Sequence, residues 1–293
     1  MAGPRQILDR RASIAKTRKI TRTMELVSAA KLKKAEAEAD AFQPYARVLQ
    51  DIVTHLQWAA TGANPEHALM HTRNVQRVAL VVCASERGLC GSYNVNIVRA
   101  AIERKRYHEA QGRSVDFSCF GRKGAGSLRF LGEEIAAEYA GFIEQPDFDR
   151  TRDITNLLME RYVAEDVDLV EVVHARFINL ATLRPRHFQL LPCGADLGRP
   201  APPRQLLPSE YFFHPEPREL LSKLVPRTVR VEFYSGLLQA AAGEQAARRL
   251  AMKTATESAD EIIGELTRQY NGVRQSKITQ EIAEIVGAVE AMS

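Results

Sequence analysis

Two stretches of this sequence have residue types that could do chemistry at the end of a strand. GRKGAGS, Gly121 to Ser127, holds Gly121 and Gly126 at the separation found in a phosphate-binding loop. There backbone N–H groups wrap the phosphates and a lysine meets their charge. Ser127 stands where that lysine is required, and Gly124 and Gly126 lack the third glycine of a dinucleotide-binding turn. The stretch therefore reads as a tight strand-to-helix turn. ERGLCGSYN, Glu86 to Asn94, sets Cys90 between glycines, where it could act as a nucleophile. A thiolate needs a base, and His108, His174, His187 and His214 stand in no recognisable cysteine-enzyme pattern. A structural turn with a small buried cysteine is the expectation. The histidines and carboxylates show no HxxxH or HExxH spacing, so no catalytic residue, cofactor site or metal site is assigned.

A third group of residues is suited to contact rather than catalysis. Arg274, Gln275, Thr279, Gln280 and Glu281 crowd a guanidinium fork, two amides, a hydroxyl and a carboxylate into about two helical turns. Such a cluster either faces solvent on a coiled coil or hydrogen-bonds to a surrounding protein, and composition leaves both open. At the other end of the chain, Met1 to Lys34 carries ten basic residues against two acids. This segment calls for an acidic partner, for nucleic-acid phosphates, or for nothing but solvent. The first 41 residues contain no aromatic side chain to stack on bases, which argues against nucleic acid.

The elements that must position these groups follow from periodicity. From Gly3 to Trp58 the pattern is helical, with Ile7, Ile14, Ile20, Met24, Val27, Leu32, Ala35 and Phe42 as apolar positions. The run 20, 24, 27 has coiled-coil spacing. A helix of about 55 residues is about 80 Å long, more than a small domain can cover. After a break at Thr61 to Pro65, strand-like runs alternate with helices: Val75 to Ala84, a helix from Val95 to Ala110, Ser114 to Phe120, a helix near Ser127 to Leu131, a helix from Arg152 to Ala164, and Asp168 to Phe177. His187 to Pro192 is suited to an edge strand. This alternation implies a largely parallel sheet with helices around it. Six prolines make Gly194 to Pro217 a loop. From Arg218 a helical stripe runs almost to the C-terminus, with a kink or boundary expected at Pro226. Leu237, Leu238, Ala241, Leu250, Ala255, Ala259, Ile262, Leu266, Tyr270, Val273, Ile278, Ile282 and Ile285 belong to that stripe.

The expected fold is α/β: an antiparallel coiled coil of the N- and C-terminal helices, 1–60 and 218–293, with a Rossmann-like domain of largely parallel sheet inserted at 61–217. The acids Glu257, Asp260, Glu261, Glu265, Glu281 and Glu284 would then partly offset the basic N-terminal helix, which supplies the C-terminal helix with its partner. Hydrophobic residues make up 45% of the 293, enough for a real core. Four scattered cysteines read as free thiols of a reducing compartment. No run approaches the roughly 18 apolar residues of a membrane span, and the start lacks a secretory signal.

SIAKTRKITRTMELVSAAKLKKA (Ser13 to Ala35) and EQAARRLAMKTATESADEIIGELTRQYNGVRQSKITQEIAEIVG (Glu244 to Gly287) closely resemble the gamma subunit of F-type ATP synthases. ERGLCGSYN is similar to that family's DRGLCGGLN, and VDLVEVVHARFIN (Val167 to Asn179) resembles its later strand. The resemblance covers essentially the whole chain in order. It implies a non-catalytic rotor shaft that turns inside a ring of three alpha and three beta subunits. The α/β domain would sit on the membrane c-subunit ring beside epsilon, peripheral to the cytoplasmic face of a bacterial inner membrane. Proton flow, or sodium flow, would drive ATP synthesis through the beta subunits. By resemblance Met24, Arg274, Gln275, Thr279 and Glu281 contact the beta and alpha loops. Arg10, Arg11, Arg18, Lys19 and Arg22 form a basic shaft face, and Tyr211 and His214 belong to the foot near the c ring. The chain departs from the family's usual residues at Glu25 (lysine), Ser92 and Tyr93 (glycine and leucine), Gly243 (serine), Lys277 (a small residue) and His214 (glutamate). A nucleotide-binding α/β enzyme with coiled-coil arms is the alternative from the residues alone.

Overall fold

The computed structural model describes residues 4–59, 67–179, 182–194, 214 and 216–292. Its elements run α1 (Pro4–Ala59), β1 (Arg77–Cys83), α2 (Tyr93–Glu109), β2 (Ser114–Phe120), α3 (Arg122–Phe130), β3 (Ile135–Tyr139), α4 (Phe148–Val163), β4 (Leu169–Asn179), β5 (Thr182–Leu191) and α5 (Pro217–Met292). The chain divides into two compact units, Met1–Ser28 with Arg248–Ser293, and Ala29–Ala247, so α1 and α5 contribute to both.

The larger unit is built on a five-stranded sheet of order β3-β2-β1-β4-β5. β1 pairs in parallel with β2 and β4, and β2 with β3, while β5 returns antiparallel along β4. The continuous apolar run of β1 has the character of a strand buried on both faces. Ala79, Val81 and Cys83 point into one core with Phe120, Val172, Leu158, Phe233 and Leu237. Leu80, Val82 and Ala84 point into a second core with Ile97, Phe117 and Leu128, under α2 and α3. Helix α2 is also tied to the sheet electrostatically. The buried Glu171 carboxylate of β4 accepts from Arg104 Nε and Nη2 at 2.6 and 2.5 Å, and from His108 Nε2 at 3.1 Å. Arg113 lies 3.1 Å from His108 Nδ1. A neutral ring with its proton on Nε2 satisfies both neighbours. Burial, the largest effect, pushes the His108 pKa down against the pull of Glu171.

Within this unit α1 and α5 run antiparallel. Leu32 and Ala35 pack with Ala242 and Ala246, and the Phe42 and Tyr234 rings meet edge to face at 4.9 Å. Helix α5 continues through Pro226, so the boundary that the sequence allows there does not occur. Val225, Val229 and Phe233 are all fully buried around it, so packing outweighs the lost N–H.

Helix α3 begins at Arg122, five residues before its sequence-based start. Gly121 caps it at φ +98°. The glycines here serve contact rather than a loop. A methyl at Gly124 would lie 2.3 Å from Ala84 Cβ, and one at Gly121 would lie 2.2 Å from the Ala84 carbonyl oxygen. Strand β3 has no counterpart in the sequence-based reading. IAAEY is short, half-exposed and rich in alanine and glutamate, so it carries little strand signal.

Candidate functional site

In the larger unit the two motifs with catalytic overtones turn out to be joints. Cys90 is 2% exposed. Its neighbours are Asn94 Nδ2 at 3.3 Å and Ser85 Oγ at 3.6 Å, and Asn94 also donates to Ser85 Oγ at 2.7 Å. This ring of small polar groups closes the β1–α2 turn. His174 is buried beside Phe188, with its Nδ1 3.2 Å from the Ala175 carbonyl oxygen. Open α/β sheets take ligands where the strand order reverses, here beyond the C-terminal ends of β1 and β4. Helix α5 occupies that position. Tyr93 donates from its hydroxyl to Ala240 O at 3.0 Å, and a methyl at Gly243 would touch Ala175 Cβ and the Tyr93 ring at 3.4 Å. The chain's own helix thus fills the crevice a nucleotide would need, against the enzyme alternative.

The smaller unit pairs α1 with α5 through an unusually polar seam. Thr21 and Thr256 share a buried hydrogen bond of 2.8 Å, worth about 1 kcal/mol. Arg18 Nε meets Asp260 Oδ1 at 2.5 Å on the half-exposed rim. These pairs set an antiparallel register. The buried positions are Ile7, Thr21, Glu25 and Ser28 on α1 and Arg248, Met252, Thr256, Ala259 and Leu266 on α5.

That seam corrects the sequence-based one. Ile20, Met24 and Val27 have coiled-coil spacing but lie on the outer face: Ile20 is 60% exposed, Val27 51%, and Met24 is half-buried. Leu250 and Ile262 are likewise outside the seam. Apolar periodicity identifies a helix face without saying what covers it, and the seam mixes hydroxyl, small and larger side chains, with Thr21, Glu25 and Ser28 on the α1 side. Glu25 is buried and takes its partner from the preceding turn, Arg22 Nη1 at 2.9 Å.

The N-terminal helix covers the C-terminal stripe only in part. Continuing the register of the paired threonines sets Ile7 opposite about residue 270, so α1 ends where the tip of α5 begins. From Arg274 to Ala288 every side chain is exposed, including Ile278, Ile282, Ile285 and Val286. Arg274, Gln275, Thr279 and Glu281 all lie on this uncovered tip, as does Lys277, which sits 3.7 Å from Glu281. Arg10 and Lys19 are exposed and Arg11 half-buried, without an ion pair to a described residue, whereas Arg18 and Arg22 are paired within the chain. Leu26, 57% exposed, is a further apolar group on the outside of α1. The structure therefore brings Met24 and Arg10 to Arg22 onto paired helices and leaves the Arg274 cluster on a single one. His214 is exposed, and Tyr211 lies outside the described residues. Among the described residues no helix is long and apolar enough to cross a membrane.

A family profile described as ATP synthase matches residues 4–292. The ATP synthase gamma chain of Saccharopolyspora erythraea is 38% identical over all of this chain and 98% of its own length. That of Heliobacterium modesticaldum is 39% identical over the whole of both chains. Among solved structures, a chain of the Euglena gracilis mitochondrial ATP synthase, in its OSCP/F1/c-ring structure, superposes with a TM-score of 0.66 at 16% identity, covering 99% of this chain and 94% of that one. One from the Tetrahymena thermophila mitochondrial ATP synthase central stalk and c-ring gives 0.57 at 22% identity, covering 80% and 99%. These two likenesses establish the fold. With the family profile spanning the described helices and sheet, and relatives above 35% identity along their full length, the chain belongs to the ATP synthase gamma-chain family.

Proposed function

We propose that this chain is the central shaft of a bacterial rotary ATP synthase and carries no active site of its own. Residues 1–60 and 218–293 form the shaft, and 61–217 the inserted domain. The paired helices and the single tip of α5 turn inside a ring of three alpha and three beta subunits. The α/β domain stands on the c ring beside epsilon, with Tyr211 and His214 in the foot, peripheral to the cytoplasmic face of the inner membrane. Ion flow, of protons or of sodium, turns ring and shaft together, and the shaft presents a different face to each beta subunit in turn.

The observation that carries this reading is the apolar surface of the smaller unit. Its seam is made without Ile20, Leu26 and Val27 on α1 and Ile278, Ile282, Ile285 and Val286 on α5, all of which are exposed. Among the described residues nothing covers these apolar groups, which suits a contact with a partner. The polar groups among them suit a sliding contact. An exposed Arg274 or Gln275 can exchange water for a partner's oxygen and back at little net cost, and charge attracts over roughly 8 Å without interlocking. A shaft that must turn needs shallow attraction at many angles.

Reconstitution with alpha and beta subunits tests the proposal. The chain should enter an ATP-hydrolysing complex, and Arg274→Ala or Gln275→Ala should weaken assembly or lower coupled ATP synthesis several-fold with an unchanged melting curve. Failure of the native chain to assemble would overturn the shaft assignment. Unchanged assembly, torque and synthesis in both variants would overturn the roles given to those two residues.

A further inference from the structure

The α2–α3 face of the larger unit also carries apolar surface that no described residue covers. Val95 on α2 and Phe130 and Leu131 at the end of α3 are exposed, with the half-buried Ile102 and the buried Val98 as the floor between them. Together they line a groove of about 760 Å³. Phe130 is 90% exposed and Val95 58%, so the ring stands almost entirely in water. Any polar residue would serve a solvated helix end better, and an uncovered apolar patch of this kind marks a contact surface. Gly126 and Ser127 keep the α3 wall low, which lets another helix approach closely.

The rim gives the occupant its chemistry. Arg99 and Arg106 project from α2 and Lys123 from α3, against Glu103 alone. None of the four is in an ion pair with a described residue. A second copy of this face would set three cations against three, so self-association is disfavoured. Two helices bordering an apolar groove are suited to a third laid between them.

We propose that the groove seats an amphipathic helix of a partner protein, with apolar side chains three and four residues apart against Phe130 and Val95, and Asp or Glu on its flanks against Arg99, Arg106 and Lys123. This inference does not rest on the shaft assignment, because the groove belongs to the α/β domain alone.

The test places the photoreactive residue p-benzoylphenylalanine at position 130 of the full chain in its native cells, followed by illumination and mass-spectrometric mapping of the attached peptide. The expected product is one helical segment with apolar residues at that spacing flanked by acids. Adding Arg99→Glu and Arg106→Glu to the labelled chain should cut the yield about 10-fold, as expected when like charge replaces complementary charge. Phe130→Asp should weaken the mapped partner's binding about 30-fold, as loss of a buried aromatic anchor does. Since Phe130 is exposed, the melting curve should not move. No cross-link, a cross-link to a neutral or basic segment, or one to a second copy of the chain would overturn the proposal. Co-purification with alpha and beta subunits is scored separately, so this inference and the shaft assignment fail independently.

Discussion

At the scale of single residues, two positions that the resemblance marks as departures, Tyr93 and Gly243, explain each other. Tyr93 brings bulk, Gly243 gives it up, and the two positions face each other between α2 and α5. The Tyr93 hydroxyl also finds a partner in the Ala240 carbonyl oxygen, as a buried phenol must. Gly243→Ser should therefore destabilise the chain by about 1–2 kcal/mol through overpacking, and by less when combined with Tyr93→Leu. Urea unfolding of the two single variants and the double variant measures the coupling. Strict additivity would mean that the contact carries no energy. The sequence alone could not connect positions 150 residues apart, and neither residue looked functional by type. By contrast the absence of a lysine at Ser127 was enough to read GRKGAGS as structural, because phosphate binding has a residue requirement that the sequence either meets or does not.

At the scale of elements, the same motif separates packing from propensity. Gly124 admits no Cβ, while Gly126 faces open space. Gly124→Ala should cost about 2–3 kcal/mol because α3 must lift off β1. Gly126→Ala should be neutral, or stabilise by up to about 1 kcal/mol through helix propensity. Thermal melts of the pair check this, and equal effects would show that the close approach at Ala84 is not what holds α3. Strands β1 and β2 were legible because β-branched runs bounded by polar turns have few other readings. β3 was not, since an edge strand with one wet face needs no strong apolar pattern. The coiled coil was legible as a pairing but not in its seam. Thr21, Glu25 and Ser28 look like surface residues by type, and only the observed register reveals that Thr21 and Thr256 satisfy one another.

At the scale of the whole molecule, buried titratable groups sum into one response to acid. Burial pushes His174 down to about 4 from an ordinary 6.5, outweighing the pull of the Ala175 carbonyl, and Arg186 and Arg176 add repulsion. His108 is also depressed. The Glu171 carboxyl resists ionisation because it is buried, but Arg104 and His108 outweigh this and hold it below its usual value. Each folded-state pKa lies below the unfolded one, so each contribution is present at neutral pH and is lost as the pH falls. For the histidines the loss begins near 6.5, where the unfolded chain takes up protons that the folded one refuses; for Glu171 it begins near 4.5. His174 alone accounts for about 3 kcal/mol between neutral pH and pH 4. Stability measured by urea titration at stepped pH should fall across this window, and His174→Gln should flatten the slope by about one proton. An unchanged slope would contradict a neutral buried ring.

The single-helix tip of α5 has a consequence for the life of the protein in the cell. The segment from Arg274 to Ala288 continues α5 without tertiary contact among the described residues, so it is expected to fray from its end whenever nothing surrounds it. Unwound, it is a ready initiation site for a processive protease, with Ile278, Ile282 and Ile285 as an apolar degradation signal. Enclosed, it offers neither. Surplus copies would thus be removed and enclosed ones spared, and copy number would follow the supply of partners. In a pulse-chase experiment, chain made without alpha and beta subunits should decay several-fold faster than chain made with them, and replacing the three isoleucines by serine should lengthen its lifetime. Equal decay in all three cases would show that the tip plays no part in turnover.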